Sequence, residues 1–191
     1  VIILVTGLKG SGKDTLADRL VNSNLKGNHY FVRHSFADPI REVCKVVFDW
    51  VDEDFTDTIK KETVDPYFGI SPRQAMQWIG TEAFQYLIGN EFPLFKETVG
   101  RTVWVKKFLK WREKHSYIKN VVIPDWRFPH EQMEIIENSS EKIKFVRVEN
   151  RRIKPDDVHE SERHIPNLSV DVEIRNDYSL EDFYENIDKL F

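Results

Sequence analysis

The chain has 191 residues, 40% of them hydrophobic and 13% aromatic, enough for one domain that buries roughly two-thirds to three-quarters of its unfolded surface. Its 28 Lys+Arg against 32 Asp+Glu leave a formal charge of −4 and a pI near 5.9, and no long basic run supplies the attraction that holds nucleic acid or an anionic membrane, so any basic site is local. The single cysteine, Cys44, excludes an intramolecular disulfide and a cysteine zinc cluster, reads as an inert core thiol, and fits a reducing, cytoplasmic setting.

Residues 1–5, Val-Ile-Ile-Leu-Val, make a continuous apolar run expected to lie as a buried strand in the middle of a parallel sheet. The run is far short of the roughly 20 residues that span a bilayer and lacks the charged leader of a signal peptide. A start at Val1 suggests that the initiating Met precedes this numbering. From Lys13 the pattern Leu16, Ala17, Leu20, Val21 has helical spacing, and residues 30–36 read as a second strand. Asp38-Pro39 reads as an N-cap with proline in the first turn, leading a helix that carries Ile40, Val43, Cys44, Val47, Phe48 and Val51. Residues 52–70 are polar and acidic and read as a loop. Ser71-Pro72 repeats the cap signal for a helix with Ala75, Met76, Ile79, Ala83, Phe84 and Leu87. Residues 89–100 read as another loop, and 102–115 as a Trp-rich helix. A strand at 120–124 ends before Asp125, Pro129 opens a helix with Met133, Ile135 and Ile136, and 143–148 is a strand. After a charged stretch at 149–168, a strand at 170–174 leads to a last helix, capped by Ser179 with Asp182 three residues on, that carries Phe183, Ile187 and Leu190. Strands alternating with helices predict an α/β fold whose five-stranded parallel sheet has helices on both faces. The segments 52–70 and 149–168 are long for a compact domain and are candidate mobile substrate loops.

Gly7-Leu-Lys9-Gly10-Ser11-Gly12-Lys13 has the spacing G-x-x-x-x-G-K, and it sits where the mechanism requires, after a buried strand and before a helix. Glycines let successive backbone N–H groups converge on an anion, the helix N-terminus adds its positive end, and Lys13 supplies a point charge for β- and γ-phosphates. A tight turn with an exposed lysine is the alternative. The hydroxyl residue that ordinarily follows the lysine and ligates Mg²⁺ is replaced by Asp14, with Thr15 behind it. Asp14 suits the positive end of the helix, and as a hard oxygen donor it is equally a candidate Mg²⁺ ligand. Thr15 is placed for an α-phosphate.

Gly10-Ser-Gly-Lys-Asp-Thr15 resembles the phosphate loop of bacteriophage deoxynucleoside monophosphate kinases and of animal phosphomevalonate kinases. Five further blocks are similar to the phage family: Ser71-Pro-Arg73 leading to Gln77, Gly80, Thr81 and Glu82; Gly100-Arg-Thr-Val-Trp104-Val-Lys106; Val121-Val-Ile-Pro-Asp125-Trp-Arg127-Phe-Pro-His130-Glu131; Asp157-Val-His159-Glu-Ser-Glu162; and Asn176-Asp-Tyr-Ser-Leu-Glu-Asp-Phe183. The resemblance covers most of the chain, least of all 52–70. It implies a three-layer P-loop NTPase fold in a single domain over 1–191, with an acceptor-binding region at about 52–118 and a lid at about 149–168. It further implies ATP-dependent phosphorylation of a deoxynucleoside 5′-monophosphate with Mg²⁺, on small-molecule substrates without nucleic acid or membrane, in a host cytoplasm if the protein is viral. Homodimerisation is left open.

Under that resemblance Lys13, Arg127, Arg151 and Arg152 are catalytic, Gly7, Gly10, Ser11, Gly12, Lys13, Asp14 and Thr15 bind the nucleotide, and Lys9, Arg73, Gly80, Trp104, Asp125 and Glu131 face the acceptor. Each position has a plainer reading. A cation in the first turn of a helix opposes the macrodipole, so Arg73 needs an anion, either a substrate phosphate or Asp65 or Glu62. Gly80 costs about 1 kcal/mol relative to Ala in a helix, which close approach of a ligand or simple helix packing explains equally. Trp104, Phe108 and Trp111 form an i, i+4, i+7 stripe of the kind that is usually core, and the resemblance alone selects Trp104 for base stacking. Asp125 ends a strand at the edge where open α/β sheets bind ligands, holding Mg²⁺ through water or touching the acceptor. Arg127 and Glu131 otherwise make a surface ion pair, and Arg151, Arg152 and Lys154 a solvated loop. His159 and His164, at i and i+5, do not share a helical face, so zinc is rejected. The rivals are a phosphomevalonate kinase, another small-molecule kinase, or a nucleotide-sensing module without turnover.

Overall fold

The computed structural model describes residues 1–22, 30–153 and 160–191. Five strands form its sheet: β1 (Ile2–Thr6), β2 (Phe31–Arg33), β3 (Asn120–Ile123), β4 (Ile143–Glu149) and β5 (Val172–Arg175). All pairings are parallel, in the order β2-β3-β1-β4-β5. β1 is central, with Leu4 beside Ile123 of β3 and Thr6 beside Arg147 of β4. Every residue of β1 and of β3 is buried, which is why these strands read as unbroken apolar runs rather than alternating ones. Edge strands β2 and β5 each bury a single residue, Phe31 and Ile174.

Helices surround the sheet, as expected of the α/β class. α1 (Lys13–Asn22) buries Leu16, Ala17 and Leu20 against Ile3, Val5, Val122 and Val146, and a C-terminal helix over Leu180–Asp188 adds Phe183 and Ile187 to the same cluster. Fully burying such aliphatic or aromatic side chains contributes about 1.5–3 kcal/mol each. Ile2 and Leu4 point to the opposite face and are equally buried.

The chain forms two compact units: residues Val1–Ser35 with Leu109–Phe191, which hold the sheet, and residues Phe36–Phe108. The second unit is helical. It contains α2 (Asp38–Phe48), α3 (Asp52–Thr56), a 3-10 turn (Lys60–Glu62), α4 (Pro72–Gln77), a π-helical stretch (Trp78–Leu87), α5 (Ile88–Glu91), α6 (Pro93–Thr98), a second 3-10 turn (Gly100–Thr102) and the start of α7 (Val103–Lys114). α2 begins one residue earlier than the sequence suggests: Ala37 takes the N-cap without a side-chain bond, and Asp38 lies in the first turn within reach of Arg41. The expected loops at 52–70 and 89–100 instead hold short helices, anchored in the first case by buried Phe55. Ser71 does cap α4: its Oγ accepts from the Gln74 N–H at 3.3 Å while Gln74 Oε1 accepts from the Ser71 N–H at 2.9 Å.

The helix expected through Leu87 is continuous but under-wound from Trp78, its last turn closing from the Ile88 N–H to the Ala83 carbonyl five residues back. In the sheet-bearing unit, α8 (Pro129–Asn138) follows β3. The described part of 149–168 is partly helical, with α9 (Glu160–Arg163) and a 3-10 turn (Ile165–Asn167) held by buried Ile165 and Leu168. α10 is the Leu180–Asp188 helix, and its Ser179 cap accepts from the Asp182 N–H at 3.1 Å. Among the described residues no helix is long and apolar enough to cross a membrane.

Candidate functional site

Parallel strands present all their carboxyl ends at one sheet edge, and β1, β3, β4 and β5 end there in the segments carrying most of the candidate residues. β1 runs into residues 7–13. Gly7 is buried, and a Cβ there would come within 2.6 Å of the Val148 carbonyl of β4, so the loop passes too close to the neighbouring strand for any side chain. Gly12 has φ +105°, and a Cβ would meet the Asn176 amide at 2.5 Å. The turn is closed by the Ser11 N–H donating to Leu8 O at 3.0 Å, and α1 by the Leu16 N–H donating to Gly12 O at 2.9 Å. Ser11 is buried, and its hydroxyl has no hydrogen-bond partner among the described residues. A buried, unsatisfied hydroxyl in a glycine-lined turn at a helix N-terminus suits an anion with acceptor oxygens.

Lys13 opens α1 with its ammonium 3.4 Å from the Leu8 carbonyl. Burial, and then the Arg127 guanidinium, hold its pKa below the ordinary lysine value, against the opposing fields of Asp14, Glu162 and Asp125. Those groups mark its surroundings. Asp125, just past β3, accepts from the Ser35 hydroxyl. Arg127 pairs with Glu162 of α9, 3.2 Å between Nη1 and Oε1. Asp14 and Asp18 share the Arg33 guanidinium from the end of β2, so the carboxylate that stands in the usual hydroxyl position already has a cation.

Glu131, the third residue of α8, is buried, and its Oε2 accepts from the backbone N–H groups of Arg127 and Phe128, each at 3.0 Å. Burial pushes its pKa up to about 7, although those two donors favour the carboxylate. Both bonds serve the turn that presents Asp125 and Arg127.

Arg151 and Arg152 are exposed on the turn after β4. Their backbone N–H groups donate to Asp177 Oδ1 at 2.9 Å and Asn150 Oδ1 at 3.0 Å, and Ile153 rests its Cδ1 near Gly10. Lys9 is exposed on the glycine-lined turn, and Thr15 is half-buried in the first turn of α1. Lys154, Asp157 and His159 lie outside the described residues.

Arg73, Gly80 and Trp104 belong to the Phe36–Phe108 unit. Arg73 Nε donates to Glu62 Oε1 at 2.6 Å, one of the two protein partners anticipated for it. Gly80 faces Ile40, whose Cδ1 would lie 2.7 Å from an added Cβ, so a side chain here would have to displace the end of Ile40. Trp104 is 8% exposed, its indole N–H donating to Gly80 O at 2.7 Å and its ring 5.3 Å from Phe84. Phe108, from the same stripe, is fully buried. Sequence reasoning missed Ser35, Arg33 and Glu162 as partners of the candidate residues, and Asn176 as a support of the glycine-lined turn. Glu162 and Asn176 stood inside quoted blocks, whereas nothing local marks Arg33 or Ser35.

The family profile described as deoxynucleotide monophosphate kinase matches residues 51–187. A protein of Acanthamoeba polyphaga mimivirus, provisionally named a deoxynucleotide monophosphate kinase, is 33% identical over 194 residues, which covers 98% of this chain and 94% of that protein.

Proposed function

From the premise that this chain belongs to the deoxynucleotide monophosphate kinase family, and is thus a phosphotransferase, we propose that it transfers the γ-phosphoryl group of ATP to the 5′-phosphate of a deoxynucleoside monophosphate. The observation that carries the ATP assignment is the glycine-lined turn at the edge of β1, with a buried unsatisfied Ser11 hydroxyl and a half-buried Lys13 beside Arg127 and Asp125. Phosphoryl transfer needs little covalent work from protein groups, so rate comes from alignment and charge neutralisation. The loop N–H groups and Lys13 bind the donor phosphates. Arg127 faces the same position and neutralises charge on the transferring group once Glu162 yields to it. A Mg²⁺ ion held at this edge would supply charge neutralisation for the phosphate oxygens. Asp125 fits as its holder better than Asp14, whose carboxylate Arg33 already compensates. The Phe36–Phe108 unit supplies the acceptor-binding residues, with Arg73 exchanging Glu62 for the acceptor phosphate, and Arg151 and Arg152 belong to the lid.

ADP release measured with ATP, Mg²⁺ and, in parallel, dGMP, dTMP, dCMP, dAMP and phosphomevalonate tests the reading. Turnover with at least one deoxynucleotide is expected. Turnover with phosphomevalonate alone, or none with any acceptor despite ATP binding, would sink it.

A further inference from the structure

The phosphate loop has a support outside its own motif. Convergence of its N–H groups on an anion turns carbonyls outward, and an outward carbonyl in a buried turn needs a donor. Ser11 is such a case, being 1% exposed. Its carbonyl accepts from the Asn176 side-chain amide at 2.9 Å, across 165 residues of sequence. Asn176 is the residue after β5, and it is fixed in turn by its own N–H, which donates to Glu149 O at the end of β4 at 2.8 Å. The same amide occupies the space that a side chain at position 12 would need. Gly12 is therefore required twice, by its positive φ and by the approach of Asn176. The neighbouring Asp177 reaches the other candidate segment, accepting from the Arg151 N–H at 2.9 Å. Ile153, at the end of that turn, lies against Gly10.

We infer that Asn176 and Asp177 act as a two-residue clamp in which Asn176 is a positioning residue for the phosphate loop and Asp177 a positioning residue for the Arg151-Arg152 turn. Neither touches substrate. Asn176 sets the orientation of the Ser11 peptide, and through it the N–H groups that bind donor phosphates. Asp177 keeps the arginine turn in register with that loop. The inference deepens the proposed ATP site and rests on that reading for its kinetic consequences, but not for its effect on anion binding.

The test uses the full chain and inorganic pyrophosphate, whose binding is followed by calorimetry without turnover. Asn176→Asp sets an acceptor against the Ser11 carbonyl and is expected to weaken pyrophosphate binding about tenfold or more, the scale of one lost and one opposed hydrogen bond. Asn176→Ser, whose hydroxyl is too short to reach, is expected to weaken it about fivefold and serves where Asn176→Asp fails to fold. With ATP and an accepted deoxynucleotide, both should raise the ATP KM while the acceptor KM stays within about twofold. Asp177→Ala should lower kcat with pyrophosphate affinity unchanged, and Asp177→Asn, which keeps an acceptor oxygen, should restore it. A folded Asn176→Asp or Asn176→Ser protein that binds pyrophosphate as the parent does overturns the clamp. Equal losses in Asp177→Asn and Asp177→Ala overturn its second half. Absence of kinase turnover in the parent, with the pyrophosphate losses still present, would instead count against the proposed function alone.

Discussion

Half-buried Lys13 and buried Glu131 both feel Arg127, yet their chemistry separates. Lys13 sits where its charge is costly, since burial and a neighbouring guanidinium both lower its pKa. A depressed lysine pKa means that folding gains little from this charge at neutral pH, and the phosphate contact proposed for it supplies a reason to hold it there. Lys13→Ala should therefore reduce phosphoryl transfer by at least about 10²-fold, the usual loss for a group that stabilises transition-state charge, with no fall in Tm. An unchanged rate, or an unfolded variant, would remove the assigned role. Glu131 reports through pH. Its pKa in the folded chain is raised to about 7 from the ordinary 4.5, so between these values the folded state keeps a proton that the unfolded state has released. Its contribution to stability is full below the lower value and is lost as pH rises through the higher one. Over that interval the parent should lose on the order of 3 kcal/mol more than Glu131→Gln does, measured by urea unfolding. Carboxylates held low by partners, such as Asp188 beside Arg19, act in the opposite sense but are common to both proteins. Identical pH profiles would show that Glu131 does not titrate as its burial requires.

At the level of elements, the central strands and long helices were legible because burial leaves a periodic record. β1 and β3 are fully enclosed and read as apolar runs, and the Ser71 and Ser179 boxes mark helix starts by local chemistry alone. Short helices leave no such record. α3 and α6, of five and six residues, complete fewer than two turns, too few to distinguish a 3.6-residue period from chance. The under-wound stretch from Trp78 was invisible for a related reason, since ordinary helical spacing describes its apolar residues almost as well. Gly80 shows what tertiary packing adds. In an isolated helix Gly→Ala would stabilise by about 1 kcal/mol, but here the new Cβ would press on Ile40 Cδ1. Gly80→Ala should thus destabilise by about 1–3 kcal/mol, whereas in an Ile40→Val background, where that methyl is gone, the same change should be neutral or stabilising. A stabilising Gly80→Ala in the parent background would show that Ile40 yields freely and that the glycine has another cause.

For the molecule as a whole, a net charge of −4 conceals cations that are already spoken for. Arg127 is held by Glu162, Arg73 by Glu62, Arg33 by Asp14 and Asp18, and Arg147 by Glu173. The motif residues of the site were legible, but these pairings were not, because they join segments that only the parallel register of the sheet or the packing of helices brings together. Their consequence is selectivity by geometry. An anion that binds at those arginines must displace an internal carboxylate, whereas one that fits the glycine-lined turn need not. Ligand binding to the folded state alone stabilises by RT ln(1 + [L]/Kd), about 2.7 kcal/mol at a hundred times Kd. At roughly 2–4 °C per kcal/mol for a chain of this size, ATP or pyrophosphate at that excess should raise Tm by about 5–10 °C. Duplex DNA at the same phosphate concentration should leave it within about one degree, since the sequence has no long basic run. Lys13→Ala should abolish the pyrophosphate shift. A shift with DNA as large as that with pyrophosphate, retained in Lys13→Ala, would mean that anions bind the surface generally and that the phosphate loop is not the anion site.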